Sequence, residues 1–129
     1  MVSNRFIRTA AVFFVIGVFL GIYMGITKDF RFTHVHAHVN LLGWVALGLC
    51  GLIYGVHPQL QQGWWPQVHY WFHTLGLVSF MGGFAWGTVT GVFAFMPVAV
   101  GASMVAVGVA VFALNVCLRL GAGVAHEAR

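Results

Sequence analysis

Apolar positions run along this chain in four long blocks, not in the alternating or one-faced patterns of a water-soluble fold. The blocks cover about residues 6–26, 33–56, 67–90 and 93–118. Each matches the roughly 20 residues that an α-helix needs to cross the hydrocarbon core of a bilayer. Between the second and third blocks lies HPQLQQGWWPQ, polar but uncharged. Its Pro58, Gly63 and Pro66 predict a loop, and its Trp64 and Trp65 suit a membrane interface. The third and fourth blocks meet between Gly91 and Pro97, which leaves room only for a tight turn. The pattern predicts an all-α, polytopic membrane protein: a single domain over residues 1–129, with four transmembrane helices in an up-down-up-down bundle.

Composition sharpens this reading. Of the 129 residues, 60% are hydrophobic and only 6% are charged, against roughly 25% charged in a domain wetted on every side. The eight charged side chains gather in three places: Arg5 and Arg8, then Lys28, Asp29 and Arg31, then Arg119, Glu127 and Arg129. The basic residues behind the net charge of +4 are few and scattered, so the electrostatic footprint of a nucleic-acid binder is missing. They read instead as topology signals. With four spans both termini share a side, and Arg5, Arg8, Arg119 and Arg129 place that side in the cytoplasm, with Lys28 and Arg31 facing outward. The expectation is a multi-pass protein of a bacterial-type inner (plasma) membrane. The first block resembles a signal peptide, but it is long and ITKDF offers no small-x-small cleavage site, so a retained helix is expected. Cys50 and Cys117 fall inside apolar blocks and are expected to be buried free thiols. Seventeen glycines, many within the blocks, predict close lateral packing of helices, including packing between subunits.

The candidate chemistry is in the histidines. Five of seven fall in predicted spans: His34, His36 and His38 at the outer end of the second, His69 and His73 at the inner end of the third. Lipid offers such side chains no partner. At about 100° per residue, His34 and His38 share a helix face while His36 points nearly the opposite way. Neutral imidazole ligates haem iron, copper and zinc alike. One four-histidine metal site formed by both groups is excluded by depth, since helix rise separates them by roughly 15 Å along the membrane normal. His34 reads first as a boundary residue or a second-layer partner, and only second as a ligand. His69 and His73 read first as hydrogen-bonding residues, and His57 and His126 are given no role.

A family resemblance enters on these residues. The segment HAHVNLLGWVALGLCGLIYGVHPQL, from His36 to Leu60, resembles the tenth transmembrane helix of the catalytic subunit of haem-copper oxidases, above all the C-family cytochrome c oxidases that use only b-type haem. His36, His38, Leu42, Gly43, Trp44, Tyr54 and Pro58 follow the order and spacing of that helix. The next segment, HYWFHTLGLVSFMGGFAWGTVTG, resembles the eleventh helix, so the likeness covers about half the chain. It implies His38 as axial ligand to a low-spin haem and His36 as ligand to a second haem on the other face. His38-Val39-Asn40 also resembles the His-x-Asn of the second helix in the same subunit. The twelve helices of that subunit form three four-helix arcs, which implies that a homotrimer of this chain would rebuild the architecture; a dimer with haem on its twofold axis is the competitor. The copper ligands, the His with its cross-linked Tyr and the propionate-neutralising arginines of the family are not evident here. Only Lys28 and Arg31 lie on the outer side to meet propionates.

The expected function is therefore a membrane haem b protein for electron transfer or for redox or gas sensing. Its cofactor-binding residues are His38, His36, His34, Arg31, Asn40 and Trp44, with iron on His38 and His36. Whether it is an enzyme stays open; if it is, it would be an oxidoreductase of the haem-copper oxidase type. Two alternatives stand beside it: a copper or haem handling factor serving an oxidase, with Met24, Met81, Met96 and Met104 as soft sulfur donors, and a cofactor-free accessory helical subunit. Expected partners are the lipid bilayer, further copies of the chain, and a redox partner or oxidase.

Overall fold

A computed structural model describes residues 1–121. It holds four long helices: α1 (Val2–Thr27), α2 (Thr33–Val56), α3 (Trp65–Thr90) and α4 (Phe95–Gly121). A single 3-10 turn, Pro58–Gln61, lies between α2 and α3. Helices α1, α2 and α4 are long and apolar enough to cross a membrane, with mean hydropathies of 2.3, 1.8 and 2.2. Helix α3 is as long but does not reach that threshold, because His69, His73, Gln67 and its aromatic and small residues dilute its apolar content. The sequence pattern placed a fourth span at about 67–90; the helix is there, and its apolarity is the weakest of the four.

Helix ends follow local chemistry. Lys28 closes α1 in the left-handed region at φ 57°, and the Thr27 hydroxyl bonds the Tyr23 carbonyl at 2.8 Å. Asp29 then accepts from Arg31 in a bidentate pair at 2.9 and 2.7 Å. That guanidinium holds the Asp29 carboxyl below its ordinary range. Pro58 stops α2, with His57 in an extended conformation before it. Gly91 ends α3 at φ 73°, its N–H returned to the Gly87 carbonyl at 2.9 Å. The main departure at an end is α1, which begins at Val2 rather than near residue 6, so Arg5 and Arg8 sit within the helix. Arg5 donates to Gln67 at 3.2 Å and Arg119 to the Gln59 carbonyl at 2.8 Å. Both lie at one end of the molecule, beside the α2–α3 connection. Arg129 and His126 of the sequence reading lie outside the described residues.

Two tight helix pairs make up the fold. Along α1 and α2 the contacts run in opposite directions, Gly21 against His36, Gly17 against Asn40, Phe13 against Gly43, and Phe6 and Ile7 against Gly51. Ser3 adds a bond from its hydroxyl to the Gly51 carbonyl at 2.9 Å. Along α3 and α4, Gly83 meets Val98, Gly76 meets Gly101, and Gly108 meets His73. A side chain at Gly76 would run into the backbone of α4 at 2.8 Å, so small residues set how closely these helices approach. The pairs join along α2 and α3 through Tyr54, Leu47, Leu77 and Met81, all buried. Large apolar side chains such as Phe19, Leu41, Trp86 and Leu118 stand 60–67% exposed, a surface suited to lipid or to other chains and not to water. Cys50 is buried and Cys117 exposed, both as free thiols; the expectation that both are buried is corrected for Cys117, whose position on α4 faces outward.

Helix α2 is not uniform. Thr33–His38 and Leu47–Val56 are α-helical, but the eight residues Val39–Ala46 between them form a π-helix. The wider turn shifts the phase of His36 and His38 against the rest of the helix, and such segments recur at functional sites.

Candidate functional site

The outer histidines divide between two faces, as helical geometry requires. His36 turns to α1, where its Nδ1–H donates to the Gly17 carbonyl at 3.1 Å. Its ring lies over Gly21, where a Cβ would come within 2.9 Å of Cε1. Asn40 supports this placement by donating to the His36 carbonyl at 2.8 Å while resting on Gly17. His38 turns to α3 instead. Its ring meets Phe80 edge-on at 5.3 Å and lies roughly parallel to Phe84 at 6.4 Å. His34 is exposed and faces Phe84 at 6.2 Å.

Hydrogen bonds fix the useful tautomers. His38 Nδ1 lies 2.8 Å from the His34 carbonyl oxygen, which can only accept, so Nδ1 carries a proton and, in the neutral ring, Nε2 keeps its lone pair. The same logic applied to His36 and the Gly17 carbonyl leaves His36 Nε2 as a lone pair. Neither Nε2 bonds anything among the described residues. An imidazole whose Nδ1–H is tied to a backbone carbonyl while Nε2 stays free is the arrangement that oriented metal-ligating histidines adopt.

Three other site residues of the sequence reading are placed as follows. Asn40 belongs with His36 and α1, not with His38. Trp44 stacks on Phe14 of α1 at 4.5 Å, and with Ile7, Val45, Gly48, Leu49 and Leu52 it lines an apolar hollow of about 330 Å³. That hollow contains no polar anchor and no histidine. Arg31 is held by Asp29 in its own loop, leaving Lys28 as the unpaired cation at this end among the described residues.

The inner histidines are organised differently. His69 and His73 are buried, at 0% and 1% exposure, and all four of their ring nitrogens are bonded. His73 Nε2 lies 3.1 Å from the Leu42 carbonyl and must donate to it. His73 Nδ1 is then an acceptor, and takes the proton of His69 Nε2 at 3.3 Å. His69 Nδ1 in turn accepts from the Tyr54 hydroxyl at 3.0 Å. One continuous chain, Tyr54 to His69 to His73 to the carbonyl of Leu42, thus runs from the inner part of α2 through α3 and back into the π segment of α2. Phe6 and Phe112 flank His69 at 4.7 and 4.9 Å and seal it.

This chain also relates the two histidine groups along α2. His73 bonds the carbonyl of Leu42, four residues or about 6 Å along α2 from His38. The two groups still share no ligand position, because no ring nitrogen of the inner pair is free. Among the described residues no three of His, Cys, Asp or Glu converge on one point. Tyr54 and the π segment were missed as functional elements by the sequence reading, although a buried phenol that must find a partner was a usable signal. Compared with known protein families, with curated proteins and with solved structures, the chain matches none.

Proposed function

We propose that this chain is a membrane haem b protein, spanning the bilayer with its four helices up-down-up-down and both termini cytoplasmic, that uses His38 Nε2 as an axial ligand. One observation carries the reading: His38 offers an Nε2 with no partner among the described residues, oriented by its Nδ1 bond within a long apolar helix and backed by Phe80 and Phe84. The residues fit such a group. Aromatic walls suit a flat macrocycle, and the bond from Nδ1–H to the His34 carbonyl fixes the tautomer and makes Nε2 the better donor. Bound there, haem would supply a one-electron iron couple, suited to electron transfer or to redox or gas sensing.

His36, with its own free Nε2 on the opposite face, is the second candidate ligand. The two faces are turned to α1 and to α3, and no other histidine of the described residues meets either Nε2, so a second ligand would come from another copy of the chain; the resemblance to an oxidase arc favours a homotrimer over a dimer. Lys28 is better placed than Arg31 to meet a propionate, since Asp29 already engages Arg31.

A copper-handling reading has one observation of its own. His34 and His38, four residues apart and both over Phe84, present two nitrogens to one side, a bidentate set for a soft ion. The test separates the two. Purified from membranes, the wild-type chain carries iron and a Soret band, His38→Ala loses both, and His73→Ala keeps them. Stoichiometric copper without iron supports the alternative, and unaltered haem in His38→Ala contradicts the assignment.

A further inference from the structure

We infer that His73 is a positioning residue: its bond to the Leu42 carbonyl holds the π segment open, and thereby sets the angle at which His38 presents Nε2. The inference rests on the haem reading above but is carried by a separate observation, the buried chain through α3. A π turn is less favourable than the α-helix it interrupts, and it persists where something outside the helix stabilises it. Here the outside group is identified. His73 Nε2–H reaches the carbonyl of Leu42, near the middle of Val39–Ala46. From the other side Phe13 of α1 packs on Gly43, where a Cβ would meet the ring at 2.6 Å. The segment is thus gripped at two adjacent residues from two different helices.

The polarity of the chain explains why a histidine pair is used. His73 must donate at Nε2, so it needs a donor at Nδ1 to fix that tautomer, and His69 supplies one. His69 needs the same service at its own Nδ1, and the Tyr54 hydroxyl provides it. A proton-directing series therefore starts at Tyr54 and ends at a backbone carbonyl one helical turn from His38. Both ends lie on α2, so α3 ties the inner α-helical part of that helix, at Tyr54, to its π segment, at Leu42. The residues that pack on His38, Phe80 and Phe84, stand on the same face of α3 as His73. Ligand wall and clamp consequently move as one body.

Three chains decide the matter: wild type, His73→Leu, which cannot donate, and His73→Gln, whose amide can accept from His69 and donate to Leu42. Each is purified, loaded with haem b, and examined by electron paramagnetic resonance of the ferric state, by haem dissociation, and by amide hydrogen exchange before loading. His73→Leu is expected to bind haem with a displaced ferric signal and about tenfold faster loss, the scale found for outer-layer partners of metal ligands, while its amides from Gly43 to Leu47 exchange faster. His73→Gln restores all three. An identical ferric signal and identical exchange in His73→Leu would overturn the inference. If the wild-type chain takes up no haem, the reading beneath it fails, and amide exchange still tests the clamp: faster exchange in His73→Leu with rescue in His73→Gln supports it, and unchanged exchange overturns it.

Discussion

The outer and inner histidines lie on neighbouring helices, α2 and α3, yet they are in opposite chemical states. In the inner pair all four ring nitrogens are engaged, and the bonds form a closed series ending on a carbonyl. In the outer trio two of six are engaged, both of them Nδ1. The difference teaches how to read polar groups in an apolar helix. Each needs a partner, but when the chain supplies a partner to every nitrogen the group is finished structure. When the chain supplies only the bond that orients the ring, the remaining lone pair is left for something else.

The contrast can be broken or sharpened by substitution. The largest effect is expected at His38: His38→Gly loses haem, and added imidazole restores binding, as a Soret titration would read. Failure of imidazole to restore it would mean that the residue acts by packing alone. Next comes Gly101, which lies under Phe80 and so under the wall of the outer site; a Cβ there meets backbone of α3 that cannot yield. Gly101→Ala should cost about 1–3 kcal/mol of stability, whereas Gly25→Ala, with open space around it, should be near neutral in the same denaturation assay. Tyr54→Phe removes the donor at the start of the inner chain and should cost about 1 kcal/mol, the usual scale of a hydrogen bond inside a membrane protein, with haem content unchanged. Smallest is Arg31→Gln, for which haem retention should change by less than about threefold, because Asp29 already holds the guanidinium.

Much of the architecture was legible in the sequence because the length of an apolar run is dictated by bilayer thickness. The four helices fall within a few residues of the runs, and the opposed faces of His36 and His38 follow from helical periodicity alone. What could not be read depends on contacts between helices. Arg5 and Arg8 ended the first apolar run but not its hydrogen bonding, so α1 starts earlier than hydrophobicity indicates. Residues Val39–Ala46 are as apolar as an ordinary helix, and nothing in their pattern distinguishes a π turn stabilised by His73 from a regular one. Trp44 stands beside the histidines in the family motif, but its stack on Phe14 turns it to α1 and away from the face of His38. Tyr54 belonged to the same motif only as a spacing marker, and its role depends on His69, fifteen residues away on the next helix.

The central claim is that His38 Nε2 receives iron. Its most direct test is a titration of the purified wild-type chain with haem b, followed by spectra before and after dithionite. Saturable uptake with a sharp Soret band that shifts on reduction is the expected result. A chain that stays colourless at every ratio of haem to protein would contradict the account.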